Sequence, residues 1–392
     1  MTKLRQRLPA RRLLAAALAV AAAAAFAVPP AAVAMVPTVG SGSSAAFDAE
    51  VPSYSLASLS TTAARATAAY GDFLRAYWNP STRQFWAMSD HSVRPGTTSR
   101  TADFWWSAEL WEVVMDRCEA ARDPSARRLI DTVWDGMTAG NPTLASDYND
   151  DRNWWALAAT RAYRLTGERR FLDAASRISN EVWRSWDATF GGGIWWRHSV
   201  HDQKNVATNA AAAITAAHLY QSTGNTTWRT RAILLFRWVD THLRTGDRIW
   251  DGVTSAGVNH AQYTYNYGTY LGAAAILNAI THASLDQTKA VAAATRAVAV
   301  FAPTGVLRSE GTLDGGAFRG IFLRSLTNLA VSHGQHQFLP FIATNANVAW
   351  GHRSWGLFGP SWSVRPSGRI DAATESSGAA LLQFAIPAAQ VR

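Results

Sequence analysis

Cysteine is almost missing from this chain of 392 residues. Cys118 stands alone, so no disulfide can form within the chain and stability must come from the core. Lysine is nearly as scarce: Lys3, Lys204 and Lys289 are the only ones, and the remaining basic residues are arginines. Beyond the N-terminus no stretch of about 18 apolar residues occurs, which excludes a spanning helix there. The pairs His198/His201 and His333/His336 lack the partner carboxylates or cysteines at the spacing of a metal site, so no metal site is expected. No Lys/Arg run is framed by aromatics, which removes nucleic acid as a partner. No alternating apolar/polar pattern marks a strand.

What is present begins with a targeting signature. Lys3, Arg5, Arg7, Arg11 and Arg12 precede an Ala-rich apolar stretch from Leu13 to Val28, and Ala32-Val33-Ala34 has the small residues of a cleavage site. The reading is a signal peptide over 1–34, a Ser/Gly/Pro-rich linker over 35–55 and a folded domain over 56–392. The Arg11-Arg12 pair leaves Sec and Tat export both open. The expected product is a secreted monomer with no membrane partner after signal removal. Its net charge falls from +9 to +4, because the five leading basic residues are unmatched by acids.

The remainder reads as helix and loop. Amphipathic segments run over Ala57–Trp78, Ser125–Gly140, Arg170–Trp186, Trp228–Leu243, Asp286–Phe301 and Gln337–Trp350. A second set, richer in alanine and other small residues, starts near Ala102, Arg152, Val206, Tyr267, Phe318 and Asp371. These starts recur every 50 to 61 residues, the period of a repeated helical hairpin. Six such hairpins predict an all-α fold closed as an (α/α)6 barrel, small-residue helices inside and amphipathic helices outside; an open α-solenoid is the competing architecture.

Chemistry gathers where the loops enter the inner helices. Ser146-Asp147-Tyr148-Asn149-Asp150-Asp151-Arg152-Asn153-Trp154-Trp155 carries adjacent carboxylates backed by two indoles. Close carboxylates repel, which raises one pKa and keeps a proton at neutral pH, as acid/base catalysis requires. Helix capping by the same residues is the plainer reading. The order Asp147-x-Asn149-x-Asp151 mimics a calcium loop, but Arg152 replaces its glycine and Ala158 its glutamate, so no calcium is expected. Magnesium-diphosphate chemistry would want a further carboxylate one turn on, where Trp154 and Trp155 stand.

Other entry loops carry Asp103 with Trp105, the Trp195-Trp196 pair, Gln262 with Tyr265 and Tyr267, and Asp314 with Phe318 and Arg319. Indoles offer a flat apolar face and a polar N–H, a match for sugar rings. Asp103 could equally cap a helix, Asn205 and Asn209 could be satisfied core amides, and Asp314 could pair with Arg319.

Taken in order, Asn149-Asp150-Asp151-Arg152-Asn153-Trp154-Trp155, Gly192-Gly193-Ile194-Trp195-Trp196, Lys204-Asn205 to Asn209, Tyr265-Asn266-Tyr267-Gly268 and Phe318-Arg319-Gly320-Ile321-Phe322 resemble glycoside hydrolase family 76. Those are α-1,6-mannanases with an (α/α)6 barrel, and the resemblance runs from about Ala57 to Gln383. It implies a retaining, endo-acting hydrolase of α-1,6-mannan, without a cofactor, in which Asp150 is the nucleophile and Asp151 the general acid/base. Asp150 is then expected just outside the helix, with Asp151 inside it. The groove residues it implies are Asp103, Trp105, Asn149, Trp154, Trp155, Trp195, Trp196, Asn205, Asn209, Gln262, Tyr265, Tyr267, Asp314, Phe318 and Arg319. A transglycosylase that remodels cell-envelope glycan and a non-catalytic mannan-binding protein are the alternatives.

Overall fold

The computed structural model describes residues 56–391. The expected signal peptide and linker lie outside the described residues. Twelve α-helices form among the described residues: α1 (Leu56–Tyr77), α2 (Phe104–Ala121), α3 (Pro124–Gly140), α4 (Asn149–Thr166), α5 (Arg169–Trp183), α6 (Val206–Thr223), α7 (Thr226–His242), α8 (Thr264–Thr281), α9 (Ser284–Phe301), α10 (Asp314–Ser332), α11 (Leu339–Gly351) and α12 (Ala372–Gln390). The even-numbered helices neighbour one another in a closed ring, from α2 round to α12 and back to α2; the odd-numbered helices cover its outside. This is the (α/α)6 barrel, not the open solenoid. Each inner helix is followed by its outer partner from α2–α3 to α8–α9, whereas α1 packs on α12. The two ends of the described chain thereby pack on each other, with Gln383 Nε2 donating to the Ala66 carbonyl at 2.9 Å.

Side-chain volume sorts the two rings. In α6 every residue from Val206 to Ala217 is buried, and most are alanine or threonine. A helix buried all round needs such residues to let its neighbours approach. At Gly268 in α8, a Cβ would stand 2.6 Å from the Phe322 Cα of α10. The outer α5 instead buries one stripe, Phe171, Leu172, Ala174, Ala175, Ile178 and Val182, at helical spacing. Asp123 and Asn225 cap α3 and α7 by accepting from amides of the first turn, and Gly167 and Gly224 end α4 and α6 in the left-handed region.

Three inner helices begin earlier than their apolar pattern indicates: α4 at Asn149 instead of Arg152, α8 at Thr264 instead of Tyr267, α10 at Asp314 instead of Phe318. Their first turns are polar, so they read as loop. Polar groups are tolerated there because the turn opens onto the mouth of the barrel and its amides need acceptors. Short strands decorate the same end. Gln203–Asn205 pairs antiparallel with Gly252–Thr254, which pairs with Gly257–Asn259, tying the entry of α6 to the α7–α8 loop. At two or three residues each, they leave no alternation for sequence reading to detect.

Deeper in the ring, α2 presents Glu109, Glu112 and Asp116 at helical spacing to arginines from two other inner helices. Arg324 Nη1 donates to Glu109 at 2.8 Å and its Nη2 to Asp116 at 3.0 Å; Arg161 Nη1 donates to Asp116 at 2.6 Å and also to Glu112. Burial raises the Glu109 pKa, with the Arg324 charge opposing. Such a network ties α2, α4 and α10 together below the mouth, and losing one partner strands a buried charge.

Inner-ring crowding yields a direct expectation. Gly268→Ala forces a Cβ against the α10 backbone and should lower unfolding free energy by about 1–3 kcal/mol, the usual cost of overpacking. Denaturant unfolding checks it, and an unchanged midpoint would contradict the close approach.

Candidate active site

The N-termini of the inner helices meet at one end of the ring, and carboxylates gather there. Asp150 and Asp151 both lie in the first turn of α4, whose cap is Tyr148. This corrects the expectation that Asp150 precedes the helix. Successive side chains on a helix point about 100° apart, so the two carboxylates diverge. Asp150 leans toward Trp196, whose Nε1 donates to its Oδ2 at 2.9 Å, while its Oδ1 accepts from the Asp151 amide at 3.0 Å. Asp151 turns the other way and accepts from Ser146 Oγ at 3.1 Å.

Burial raises the Asp150 pKa well above the carboxylate range, against the pull of the two N–H donors; the Asp251 charge raises it further. Burial raises Asp151 too, and the charges of Asp150, Asp103 and Asp314 add to the effect. The pair therefore holds a proton at a pH where isolated carboxyls have lost theirs. Asp150, with two N–H donors aimed at it, is the better anion. Asp151, facing three carboxylates and accepting one hydroxyl, is the better proton carrier.

The surrounding carboxylates are themselves fixed. Asp314 Oδ1 accepts from Trp105 Nε1 at 3.1 Å and Trp106 Nε1 at 2.7 Å, which links α10 to α2. Asp103 is paired with Arg94. Asp251 accepts from Asn259 Nδ2 at 3.0 Å and from the Tyr265 hydroxyl, and burial raises its pKa. Tyr265 stacks on Tyr263 at 5.6 Å and meets Phe318 edge-on at 4.5 Å. Across the dyad, Tyr148 lies 5.0 Å from Trp196, and Trp105 lies 6.4 Å from Trp154. Half-exposed aromatics thus flank the acids on several sides.

One buried lysine builds the wall that carries Trp196. Lys204 Nζ donates to Asp187 Oδ1 at 2.7 Å and to the carbonyls of Asp187, Thr189 and Gly192 at 3.1, 2.8 and 2.8 Å. Against the effect of burial, Lys204 and Trp195 hold the Asp187 carboxyl far below the usual range. The loop needs glycine at 193, where φ is +85° and a Cβ would sit 2.7 Å from the Trp238 ring.

Of the fifteen groove candidates, Asp103, Trp105, Trp196, Gln262, Tyr265, Asp314 and Phe318 keep exposed surface at this end. The others lie in the wall. Asn149, Trp155, Asn209, Tyr267 and Arg319 are fully buried, and Asn205, Trp154 and Trp195 nearly so. Asn149 Nδ2 donates to the Trp195 carbonyl at 2.9 Å, Asn209 brackets the Ile194 backbone, and Asn205 caps α6 through the Thr208 amide. Trp155 donates to the Phe104 carbonyl at 3.0 Å. Trp195 donates to Asp187 and carries His201 stacked at 5.0 Å. The Tyr267 hydroxyl donates to Gln262, on the side of α9. Arg319 does not pair with Asp314. Its guanidinium lies 4.0 Å from the centre of the Trp362 ring, where burial lowers its pKa to about 10. Apart from Arg319, whose buried guanidinium nitrogens find no hydrogen-bond partner, these groups fix the walls rather than offer surface to a ligand.

Sequence reading missed Asp251, Tyr148, Ser146 and Tyr263. Asp251 had a signal, an acid between Trp250 and Gly252 in a loop that enters an inner helix. Among the described residues no group of three or more His, Cys, Asp or Glu side chains is arranged to hold a metal ion.

Comparison with known proteins places this arrangement. The profile described as Glycosyl hydrolase family 76 matches residues 61–383. The fold is similar to an α-1,6-mannanase, GH76A, of Salegentibacter sp. HEL1_6, solved as an inactive variant with two neighbouring aspartates replaced by asparagine, in complex with α-1,6-mannotriose. The two are 27% identical with a TM-score of 0.77, covering 83% of this chain and 99% of that one. A mannan endo-1,6-alpha-mannosidase of Saccharomyces cerevisiae is 29% identical over 229 residues, 51% of each chain. A putative mannan endo-1,6-alpha-mannosidase of Schizosaccharomyces pombe is 24% identical over 275 residues, 61% of this chain and 60% of that protein. The match thus spans between half and two thirds of these curated relatives.

The raised dyad has a stability signature. Groups whose pKa is higher folded than unfolded make the folded state lose stability as pH rises from the unfolded value through the folded one. For the dyad that window starts near the ordinary carboxylate pKa of about 4 and runs up past neutrality. Asp150→Asn, which removes one member, should raise the melting temperature by a few degrees at pH 8 and much less at pH 5. Calorimetry at the two pH values checks this; an equal shift at both would contradict a shared proton.

Proposed function

This chain belongs to glycosyl hydrolase family 76, and from that premise we propose that it is an exported, endo-acting hydrolase of α-1,6-mannan that retains anomeric configuration. The observation that carries the reading is the divergent pair on the first turn of α4, one carboxylate held by two N–H donors and its neighbour surrounded by negative charge. The inactive Salegentibacter mannanase, with two neighbouring aspartates replaced, supports the same pair as the catalytic one.

The chemistry follows from the two environments. Asp150, the anion, attacks the anomeric carbon and forms a glycosyl-enzyme ester as the glycosidic bond breaks. Asp151 gives its proton to the departing sugar oxygen. With that proton gone, Asp151 takes one from an incoming water, whose oxygen displaces Asp150 and regenerates the pair. Trp196 Nε1 and the Asp151 amide stabilise the charge that Asp150 regains in this second step. Asp251, positioned by Tyr265 and Asn259, adds negative charge near Asp150 and raises its pKa. Tyr148, Trp105, Tyr263 and Phe318 supply apolar faces along the mouth, which suits internal cleavage of a chain. Export rests on the basic, apolar and small-residue order of the first 34 residues, and a monomer is the expected state.

Two substitutions test the roles. Asp150→Asn should lower cleavage of α-1,6-mannan by about 1,000-fold or more, followed by mass analysis of the products. Asp151→Ala should fail on mannan yet keep far more activity on an aryl mannoside whose leaving group needs little protonation. Equal losses on both substrates would remove Asp151 as the acid. Products longer than the starting oligomers, instead of shorter ones, would show transfer in place of hydrolysis.

A further inference from the structure

Two loops on one side of the mouth, 89–101 before α2 and 352–371 before α12, are bound to each other. The Ser89 amide donates to the Ile370 carbonyl at 2.8 Å, the Ile370 amide to Ser89 Oγ at 2.9 Å, and Arg369 Nη1 to Ser92 Oγ at 2.9 Å. Arg94 of the first loop pairs with Asp103 at the site itself. The loops therefore form one surface continuous with the rim of the groove.

That surface combines bare apolar groups with positive charge. Trp355 is 73% exposed and Val364 62%, the two most exposed large hydrophobic side chains among the described residues, and Val93 adds 41%. Trp355 is held out by its turn. Ser354 and Leu357 exchange backbone hydrogen bonds at 3.1 and 2.9 Å, leaving Trp355 and Gly356 at the tip with φ of +53° and +86°. Such primed turns favour Asn-Gly, and an aromatic at positive φ is strained. Arg94, Arg100, Arg353, Arg365 and Arg369 stand against two acids, Asp90 and Asp371, in residues 89–101 and 352–371, a net +3, most of the +4 that the whole chain carries beyond residue 34. Arg100, Arg365 and Arg369 are exposed and make no salt bridge among the described residues.

We infer that these loops are a docking surface for an anionic lipid bilayer, with Trp355 and Val364 entering the headgroup layer and Arg100, Arg365 and Arg369 meeting its charge. Tryptophan partitions to the membrane–water interface, and arginines near an anionic leaflet are drawn to it. A neutral glycan would leave the arginines uncompensated, so charge favours the bilayer. The docking is peripheral, since no described helix is long and apolar enough to cross a membrane. It departs from the expectation that the mature chain has no membrane partner. It would hold the groove beside glycan anchored to anionic lipid, but it stands on the loops alone and not on the proposed hydrolysis.

Vesicle co-sedimentation of the full chain tests it, comparing wild type with the triple substitution Trp355→Ser, Val364→Ser and Arg365→Ser, and with the single Arg365→Glu should the triple variant fail to fold. Wild type should bind phosphatidylglycerol vesicles, weaken with salt and ignore phosphatidylcholine. The triple substitution should cost about tenfold in affinity and the single one several-fold, with melting temperature and cleavage of soluble α-1,6-mannotetraose unchanged. Equal binding by wild type and variants, or equal binding to neutral vesicles, overturns the inference. So does displacement by inorganic phosphate at constant ionic strength, which marks a free-anion site. Retention on insoluble mannan that the variants lose, without vesicle binding, marks a glycan surface instead. Because vesicle binding is read without catalysis, an inactive enzyme leaves this result intact.

Discussion

Mutual repulsion between two neighbouring carboxylates in a half-buried helix turn is the constraint around which this molecule is arranged. Left to repulsion alone, the pair would share one proton between two equivalent acids. The surroundings break that symmetry. Two N–H groups are spent on Asp150, and three acids face Asp151. Each set has one member on α4, the Asp151 amide and Asp150 itself, and draws the rest from elsewhere. Trp196 comes from the loop before α6, Asp103 from the cap of α2 and Asp314 from the first turn of α10. Only a closed ring of parallel inner helices brings these N-termini to one place.

Much of the remaining polar chemistry holds that geometry still. Lys204 collects four oxygen acceptors in the loop that presents Trp196, and Asn149 and Asn209 bind the backbone around Trp195 and Ile194. Asp314 fixes two indoles at once. Buried polar groups are affordable where each has a partner, and a well-satisfied network specifies one arrangement. Farther down the ring, Glu109, Glu112 and Asp116 with Arg161 and Arg324 serve the same end, joining three inner helices. Rigidity at the base and charge asymmetry at the mouth are two halves of one design.

The architecture was legible in the sequence because two kinds of helix alternate with a steady period, and small residues mark those that must crowd together. The dyad was legible because adjacent acids before paired tryptophans are rare in a plain cap. Inner-helix starts were misplaced by three or four residues at α4, α8 and α10, since polar first turns carry no apolar period. The misplacement put Asp150 outside its helix. Amides and aromatics near the dyad divided between groove and wall in a way that composition cannot indicate. Asn209 and Trp155 face backbone carbonyls and packed rings, while Tyr265 one helix on reaches Asp251. Asp251 escaped notice because its neighbours in space, Tyr265 and Asn259, are set by a three-residue strand pairing that leaves no trace in hydropathy.

The division of labour between the two acids is open to one chemical trap. A 2-deoxy-2-fluoro mannosyl donor slows both steps and lets a covalent intermediate accumulate, which peptide mass mapping can locate. The account predicts a sugar ester on the Asp150 side chain, formed at normal stoichiometry and released on adding an acceptor. An ester on Asp151, or no adduct together with products of inverted configuration, would contradict it.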